Sequence, residues 1–224
     1  YKGKRLNEDA PIRVRPCSHV LKHTVHLDKV KAERFLLPIS KKKTHVIEIH
    51  AGQITTTDLT ISLPPTLNFE PFGGYSKIAA VERHHNTGKI GVAVAKGYGI
   101  RNGAVASSVS HDSHNIIVIG DNDVDMAIAV NEIIRTQGGY TVVENGKVYE
   151  TLALPIMGLM SDAGFENVNE ALQRMIQKAH QMGVAAQIDP FVTLSFLALP
   201  VIPELRITPR GICKMTAKGP AILS

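Results

Sequence analysis

GAVASSVSHDSHNIIVIG, at residues 103–120, places a polar pentapeptide between two apolar runs. The pentapeptide, 111–115, contains two histidines, an aspartate, a serine and an asparagine. The run that follows it, 116–120, is apolar throughout, as expected of a strand that is buried on both faces. Because so many polar side chains between two strands indicate a turn, a site or both, residues 111–115 are the first place to look for function.

Two β-hairpins are predicted on either side of this stretch. The first joins the apolar segments 77–84 and 88–97 through Asn86-Thr87-Gly88. The second joins 140–143 to 147–149 through a turn that contains Asn145-Gly146, a pair that readily adopts positive φ angles. The chain therefore contains an antiparallel sheet.

Helices are predicted after the central stretch. Asp121-Asn122-Asp123 supplies N-cap residues for one helix, and Gly138-Gly139 supplies its stop. A second amphipathic helix is expected from about Asn167 to Met182. The apolar segment 192–199 lies between two prolines and suits either a buried strand or a short helix.

The fold class that follows is α+β, with a mostly antiparallel sheet and two principal helices. The first regular strand is predicted at 45–50, where apolar and polar residues alternate. Residues 1–44 are interpreted as an irregular arm, and residues 45–224 as the α+β domain. Four methionines, which we expect to fill the core, are Met157, Met160, Met175 and Met182.

Composition limits the classes of function. The 224 residues are 44% hydrophobic and 20% charged, which is ordinary for a globular protein. A net charge of +5, no Trp and only 5% aromatic residues argue against a nucleic-acid surface. No apolar run approaches the ~20 residues that span a bilayer. Cys17 and Cys213 form no disulfide pattern, so we expect a cytoplasmic protein without a membrane partner.

The pentapeptide has two interpretations. The side chains of His111, Asp112 and His114 are of the types that bind divalent transition metals, so they are candidates for an auxiliary metal site. Alternatively, the segment is a tight turn in which Asp112 and Asn115 satisfy backbone donors. Spacing alone leaves both open.

Glu82-Arg83-His84 is equally ambiguous at the end of its predicted strand. Arg83 and Glu82 could simply form a surface ion pair. If this strand end faces the same pocket as His111, the three residues could instead hold a ligand or a metal-bound water through charged hydrogen bonds.

Four segments, taken together and in order, resemble the C-terminal domain of bacterial-type adenine deaminases. They are Glu82-Arg83-His84, residues 103–115, Gly158-Leu159-Met160-Ser161, and the stretch from Asp189-Pro190-Phe191 to Pro203-Glu204-Leu205. The resemblance covers roughly residues 45–210.

This resemblance implies an activity and partners. Members of the family belong to the amidohydrolase superfamily and hydrolyse adenine to hypoxanthine and ammonia, with divalent metals, manganese or iron, in an N-terminal TIM-barrel domain. Tyr1–Leu6 is similar to the last strand of the small β-sandwich beside that barrel. The chain contains no His-x-His, so the principal metal centre is expected in the barrel. The implied partners are the barrel domain, adenine and further copies in a homo-oligomer.

Within this interpretation the chain is the C-terminal part of the enzyme and is inactive alone. The candidate substrate-binding residues are Glu82, Arg83, His84, Ser110, His114 and Asn115, and the candidate catalytic residues are Glu82, His111 and Asp112. Two alternatives remain open at this point. One is a non-catalytic purine-binding or dimer-interface domain, and the other is a free-standing metalloprotein.

Overall fold

The computed structural model describes residues 17–41 and 43–223, so the predicted sandwich strand at Tyr1–Leu6 lies outside the described residues. Two short 3₁₀ helices, His19–Lys22 and Ala32–Phe35, interrupt the arm. The strands and helices that follow are β1 (Lys43–Ile49), β2 (Thr56–Ser62), β3 (Tyr75–Val81), β4 (Ile90–Lys96), β5 (Gly103–Ser107), β6 (Ile116–Gly120), α1 (Asp123–Thr136), β7 (Gly139–Glu144), β8 (Lys147–Ala153), α2 (Phe165–Gln181), α3 (Pro190–Leu197), β9 (Leu205–Thr208), β10 (Gly211–Thr216) and β11 (Gly219–Ile222).

Eight strands form one sheet in the order β2-β1-β4-β3-β6-β5-β7-β8. Every neighbouring pair in it is antiparallel except β1 and β4, which run parallel. A second, three-stranded sheet has the order β11-β10-β9. The predicted α+β class with a mostly antiparallel sheet is therefore confirmed.

The large sheet is covered on both faces, which explains why β5 and β6 are fully buried. On one face α1 packs with the arm, whose Val25, Val30 and Phe35 join the core around Val118. On the other face lie α2, α3 and the small sheet, packed around Ile117 and other core residues. Burial of such apolar side chains is the main favourable contribution to folding.

Both predicted hairpins and both principal helices are present. Asn122 caps α1 by accepting a hydrogen bond from the Asp125 amide, and α1 ends just before Gly138. The ambiguous apolar segment is helical, because Asp189 caps it and Pro190 opens it as α3. Within the described residues, no helix is both long and apolar enough to cross a lipid bilayer.

Candidate functional site

The sheet brings two of the predicted polar segments to one end. Val81, the last residue of β3, pairs with Ile116, the first residue of β6, and Ser107 at the end of β5 pairs with Ile117. The residues that follow β3 and β5 must therefore emerge side by side. We call this region, residues 82–85 and 108–115, the histidine end.

Arg83 connects the histidine end to two other parts of the chain. Its side chain is 2% exposed, and its Nε donates to the carbonyl of His114. Nη1 donates to the Thr24 carbonyl at 3.0 Å, and Nη2 donates to the Met157 carbonyl at 3.0 Å. Burial lowers the pKa of Arg83 to about 10, so the guanidinium remains charged at neutral pH. Its bonds go to backbone carbonyls of three separate segments, so Arg83 holds those segments together.

The segment 156–160 also contacts the histidine end through Gly158. Gly158 has a φ of 71°, and a Cβ atom on it would come within 2.8 Å of Arg83 Nη1. The Ser108 hydroxyl donates to the Gly158 carbonyl at 2.6 Å. A glycine at residue 158 therefore permits close packing against the guanidinium. The motif at 158–161 thus lies beside two of the three other motifs that carry the family resemblance.

Glu82 organises the turn that follows β3. Its Oε1 accepts the amides of His84 at 2.5 Å and His85 at 2.9 Å. Its Oε2 accepts the Thr87 amide at 3.1 Å and the Thr87 hydroxyl at 2.9 Å. Burial raises the pKa of the Glu82 carboxyl, but these hydrogen bonds outweigh it and lower the pKa to about 2. Glu82 is therefore a carboxylate at neutral pH whose two oxygens are both occupied within its own turn.

Ser110 and Asn115 close the turn that carries the histidines. The Ser110 hydroxyl donates to the Asn115 carbonyl at 2.7 Å. Asn115 Oδ1 accepts the Arg83 amide at 3.3 Å, and its Nδ2 donates to Ser113 Oγ at 3.1 Å. His84 Nε2 lies 2.7 Å from the Ser113 carbonyl, so that nitrogen is the donor. Ser110 and Asn115 are buried and give the turn its shape.

His111 and His114 are the imidazoles that this turn presents. Their ring centroids are 6.1 Å apart, and the His111 ring lies 5.0 Å from the ring of Phe196. Burial lowers the pKa of His114, and the nearby charges of Arg83 and His111 lower it further. His114 Nδ1 is buried without a hydrogen-bond partner among the described residues. Such an orphaned atom is costly unless a ligand or another chain segment supplies a partner.

The predicted metal ligands do not converge in this arrangement. Asp112 has a side chain that is 86% exposed, and its Oδ1 lies 3.8 Å from His111 Nδ1. Across residues 17–41 and 43–223, no group of three or more His, Cys, Asp or Glu side chains is arranged to hold a metal ion. The residues 111, 112 and 114 therefore do not fit a metal without rearrangement.

Other residues at this end were not predicted from the sequence. Ser195 and Phe196 on α3 contact His111, the first through its carbonyl, which accepts the His111 amide at 3.0 Å. The prediction that Met157 and Met160 fill the core is wrong, since they are 43% and 53% exposed, whereas it is confirmed for Met175 and Met182. The sequence signal that could have indicated a surface position for Met160 was its place within the motif 158–161.

The comparisons with known proteins agree with the resemblance of these motifs. Residues 53–218 match the family described as adenine deaminase C-terminal domain. A protein named adenine deaminase from Desulfitobacterium hafniense is 47% identical over 213 residues, which cover 95% of this chain and 37% of that protein. A protein of the same name from Nitratidesulfovibrio vulgaris strain DP4 is 44% identical over 216 residues, covering 94% and 38%. One from Bacillus subtilis is 42% identical over 195 residues, covering 83% and 34%. The chain thus spans little more than a third of these relatives.

Proposed function

The chain belongs to the adenine deaminase C-terminal domain family, and we propose that it forms one wall of an adenine-deaminating active site. In this proposal the hydrolysis of adenine to hypoxanthine and ammonia requires the N-terminal part that the longer relatives possess. The chain alone is then inactive. It contributes side chains that contact the purine or exclude water from it.

The observation that carries this proposal is the convergence of three motifs on one buried guanidinium. Arg83 is itself in the first motif, and it binds the carbonyl of His114 in the second. It also binds the carbonyl of Met157, next to the third motif at 158–161. Polar motifs of a domain that are far apart in sequence but adjacent in space, with a buried orphaned nitrogen, are typical of a binding site.

The side chains at this end divide into two groups by their contacts. Glu82, Arg83, Ser110 and Asn115 are engaged with the backbone, so we propose that they position the others. His84, His111 and His114 carry the imidazoles. His84 Nε2 is already bonded to the Ser113 carbonyl, whereas His114 has its Nδ1 unpaired within the described structure. A neutral imidazole can donate or accept one hydrogen bond at each nitrogen, which suits the alternating donors and acceptors of a purine edge.

The metal belongs to the remainder of the enzyme in this account. We propose that the manganese or iron implied by the family is bound by the N-terminal part, since residues 111, 112 and 114 do not form a ready ligand set. A homo-oligomer in the cytoplasm is part of the same proposal.

An experiment with three proteins tests this function. They are the chain alone, the intact Desulfitobacterium hafniense relative, and an extended protein in which the N-terminal part of that relative is fused ahead of residue 1. Ammonia release from adenine is expected from the last two and not from the first. An inactive extended protein beside an active intact relative would contradict the proposal.

The same samples distinguish the alternatives. Binding of adenine to the chain alone, with no activity in the extended protein, would favour a purine-binding domain. One equivalent of tightly held metal in the chain alone would favour a free-standing metalloprotein.

A further inference from the structure

Five exposed apolar side chains lie on neighbouring segments beside the histidine end. Val20 and Phe165 are each 78% exposed, Met160 is 53%, Met157 is 43% and Leu21 is 38%. We call these five residues the apolar patch. Single exposed apolar residues are common on protein surfaces, but a group of large ones in neighbouring segments marks an interaction surface.

Two contacts place the segments that carry the patch next to each other. The Met157 amide donates to the Leu21 carbonyl at 2.6 Å, which joins the 3₁₀ helix of the arm to the segment 156–160. Lys22 forms an ion pair with Asp162, three residues before Phe165. The two segments are therefore clamped side by side at two points.

The patch also adjoins the histidine end directly. Arg83 Nη2 binds the carbonyl of Met157, while its Nε binds the carbonyl of His114. One guanidinium thus binds both a residue of the patch and the turn that carries the imidazoles. A partner that covers the patch would reach the edge of that turn.

We infer that the apolar patch is the docking surface for the N-terminal part of the same protein. This inference rests on the proposed function, because it names the partner of the same site. Two observations support this occupant over others. The Desulfitobacterium hafniense relative extends well beyond the 37% of its length that this chain matches, and the inferred partner is the part of the protein that corresponds to the remainder. The described arm begins at Cys17, three residues before Val20, so the N-terminal end of the described residues lies close in sequence to the patch.

The exposed methionines provide a test that requires no substitution. Hydrogen peroxide converts an accessible methionine to its sulfoxide, and a covered one reacts more slowly. Oxidation of Met157 and Met160 is measured by mass spectrometry in the chain alone and in the extended protein. We expect the rate at both residues to fall at least about fivefold in the extended protein. Met215, half-buried on β10 in the small sheet, serves as the internal control, and its rate is expected to stay the same.

A matched pair of variants in the extended protein checks the location. Phe165→Ser should restore much of the oxidation at Met160, whereas Leu67→Ser, at a residue that is 92% exposed elsewhere, should not. Equal oxidation of Met157 and Met160 in the chain alone and in the extended protein would overturn the inference. Protection that rises with concentration in the chain alone would also overturn it, because the occupant would then be a second copy.

The predicted protection of the methionines and the predicted deaminase activity can fail independently. If Met157 and Met160 are protected but the extended protein does not deaminate adenine, the docking surface stands and the proposed function falls. If the extended protein is active without protection at these residues, only the docking surface falls.

Discussion

At the scale of single residues, Arg83 is the side chain on which the histidine end depends. Its hydrogen bonds reach Thr24, His114 and Met157, and no carboxylate among the described residues pairs with it. Hydrogen bonds from a charged group contribute about 1.5–3 kcal/mol each when the alternative is an unpaired buried donor. The geometry of the turn at 111–115 is therefore coupled to the packing around this guanidinium.

Two glycine substitutions distinguish the stability cost of disturbing the packing around Arg83 from the cost of backbone strain. Gly158 and Gly146 both have positive φ, 71° and 78°, but an added Cβ meets the Arg83 guanidinium only at residue 158. Gly146→Ala should cost about 1 kcal/mol of unfolding free energy from the left-handed backbone alone. Gly158→Ala should cost about 2 kcal/mol more, because the guanidinium cannot withdraw without breaking its hydrogen bonds. Urea unfolding of the chain measures both, and equal losses would refute the close packing.

Glu82 should make stability depend on pH in the acid range. Its pKa in the folded protein is about 2, below its ordinary value of 4.5. The unfolded chain therefore binds the proton more readily, so the stabilisation is present above about pH 4.5 and is lost as the pH falls towards 2. The contribution is up to about 3 kcal/mol. Glu82→Gln should lower the free energy of unfolding at pH 7 and flatten its fall between pH 4.5 and 2. The control is Glu33→Gln, at an exposed residue of the arm, which should leave the free energy of unfolding at pH 7 nearly unchanged.

At the scale of elements, helix α3 contacts the histidine turn at His111. The carbonyl of Ser195 accepts the His111 amide, and Phe196 contacts the His111 ring. The N-terminus of α3 is held by Asp189 Oδ1, which accepts the amides of Phe191 and Val192. Loss of that cap is expected to loosen α3, and with it the contacts that Ser195 and Phe196 make with His111 about two helical turns away.

Removing this cap is therefore a test at the level of the element. Asp189→Ala should destabilise the chain by about 1 kcal/mol, whereas Asp189→Asn, which keeps an accepting oxygen, should be close to neutral. Hydrogen exchange of the His111 amide should become faster in the first variant only. Unchanged exchange in Asp189→Ala would show that the turn does not depend on the α3 cap.

The success of sequence-based prediction also differs between elements. The β3–β4 and β7–β8 hairpins and helix α1 were predictable because Asn86-Thr87-Gly88, Asn145-Gly146 and Asn122 are local signals. Strand β2 and the small sheet were not, since their pairing is determined by tertiary packing, and β9 and β11 have only four residues each. The helical state of α3 depends on its N-cap, which apolar periodicity alone does not reveal.

In the candidate site, too, local sequence signals could be recognised and contacts between distant residues could not. The pentapeptide was recognisable because polar residues interrupt two apolar strands. The role of Arg83 was not, because its partners are backbone carbonyls at Thr24, His114 and Met157, distant in sequence and carrying no residue signature. Of the two alternatives for this motif, a surface ion pair with Glu82 is not formed in the described structure, because Arg83 is buried and makes those bonds instead.

At the scale of the whole molecule, the strand directions place the histidine end and His50 at opposite ends of the sheet. The histidine end lies where β3 and β5 finish. His50 follows β1, which runs parallel to β4 and therefore finishes at the opposite end of the sheet. His50 contacts Thr57 at 2.7 Å and, within residues 17–41 and 43–223, makes no hydrogen bond to the histidine end. It is the natural control for any effect of removing an imidazole.

The most direct test of the account is kcat/KM for adenine deamination by three variants of the extended protein, His111→Ala, His114→Ala and His50→Ala. Loss of a side chain that contacts the reacting purine or positions it should lower kcat/KM at least about tenfold, which corresponds to about 1.4 kcal/mol. We predict that loss for His111→Ala and His114→Ala, with His50→Ala within about twofold of the unsubstituted protein. If all three variants retain the unsubstituted kcat/KM, the histidine end is not a wall of the active site.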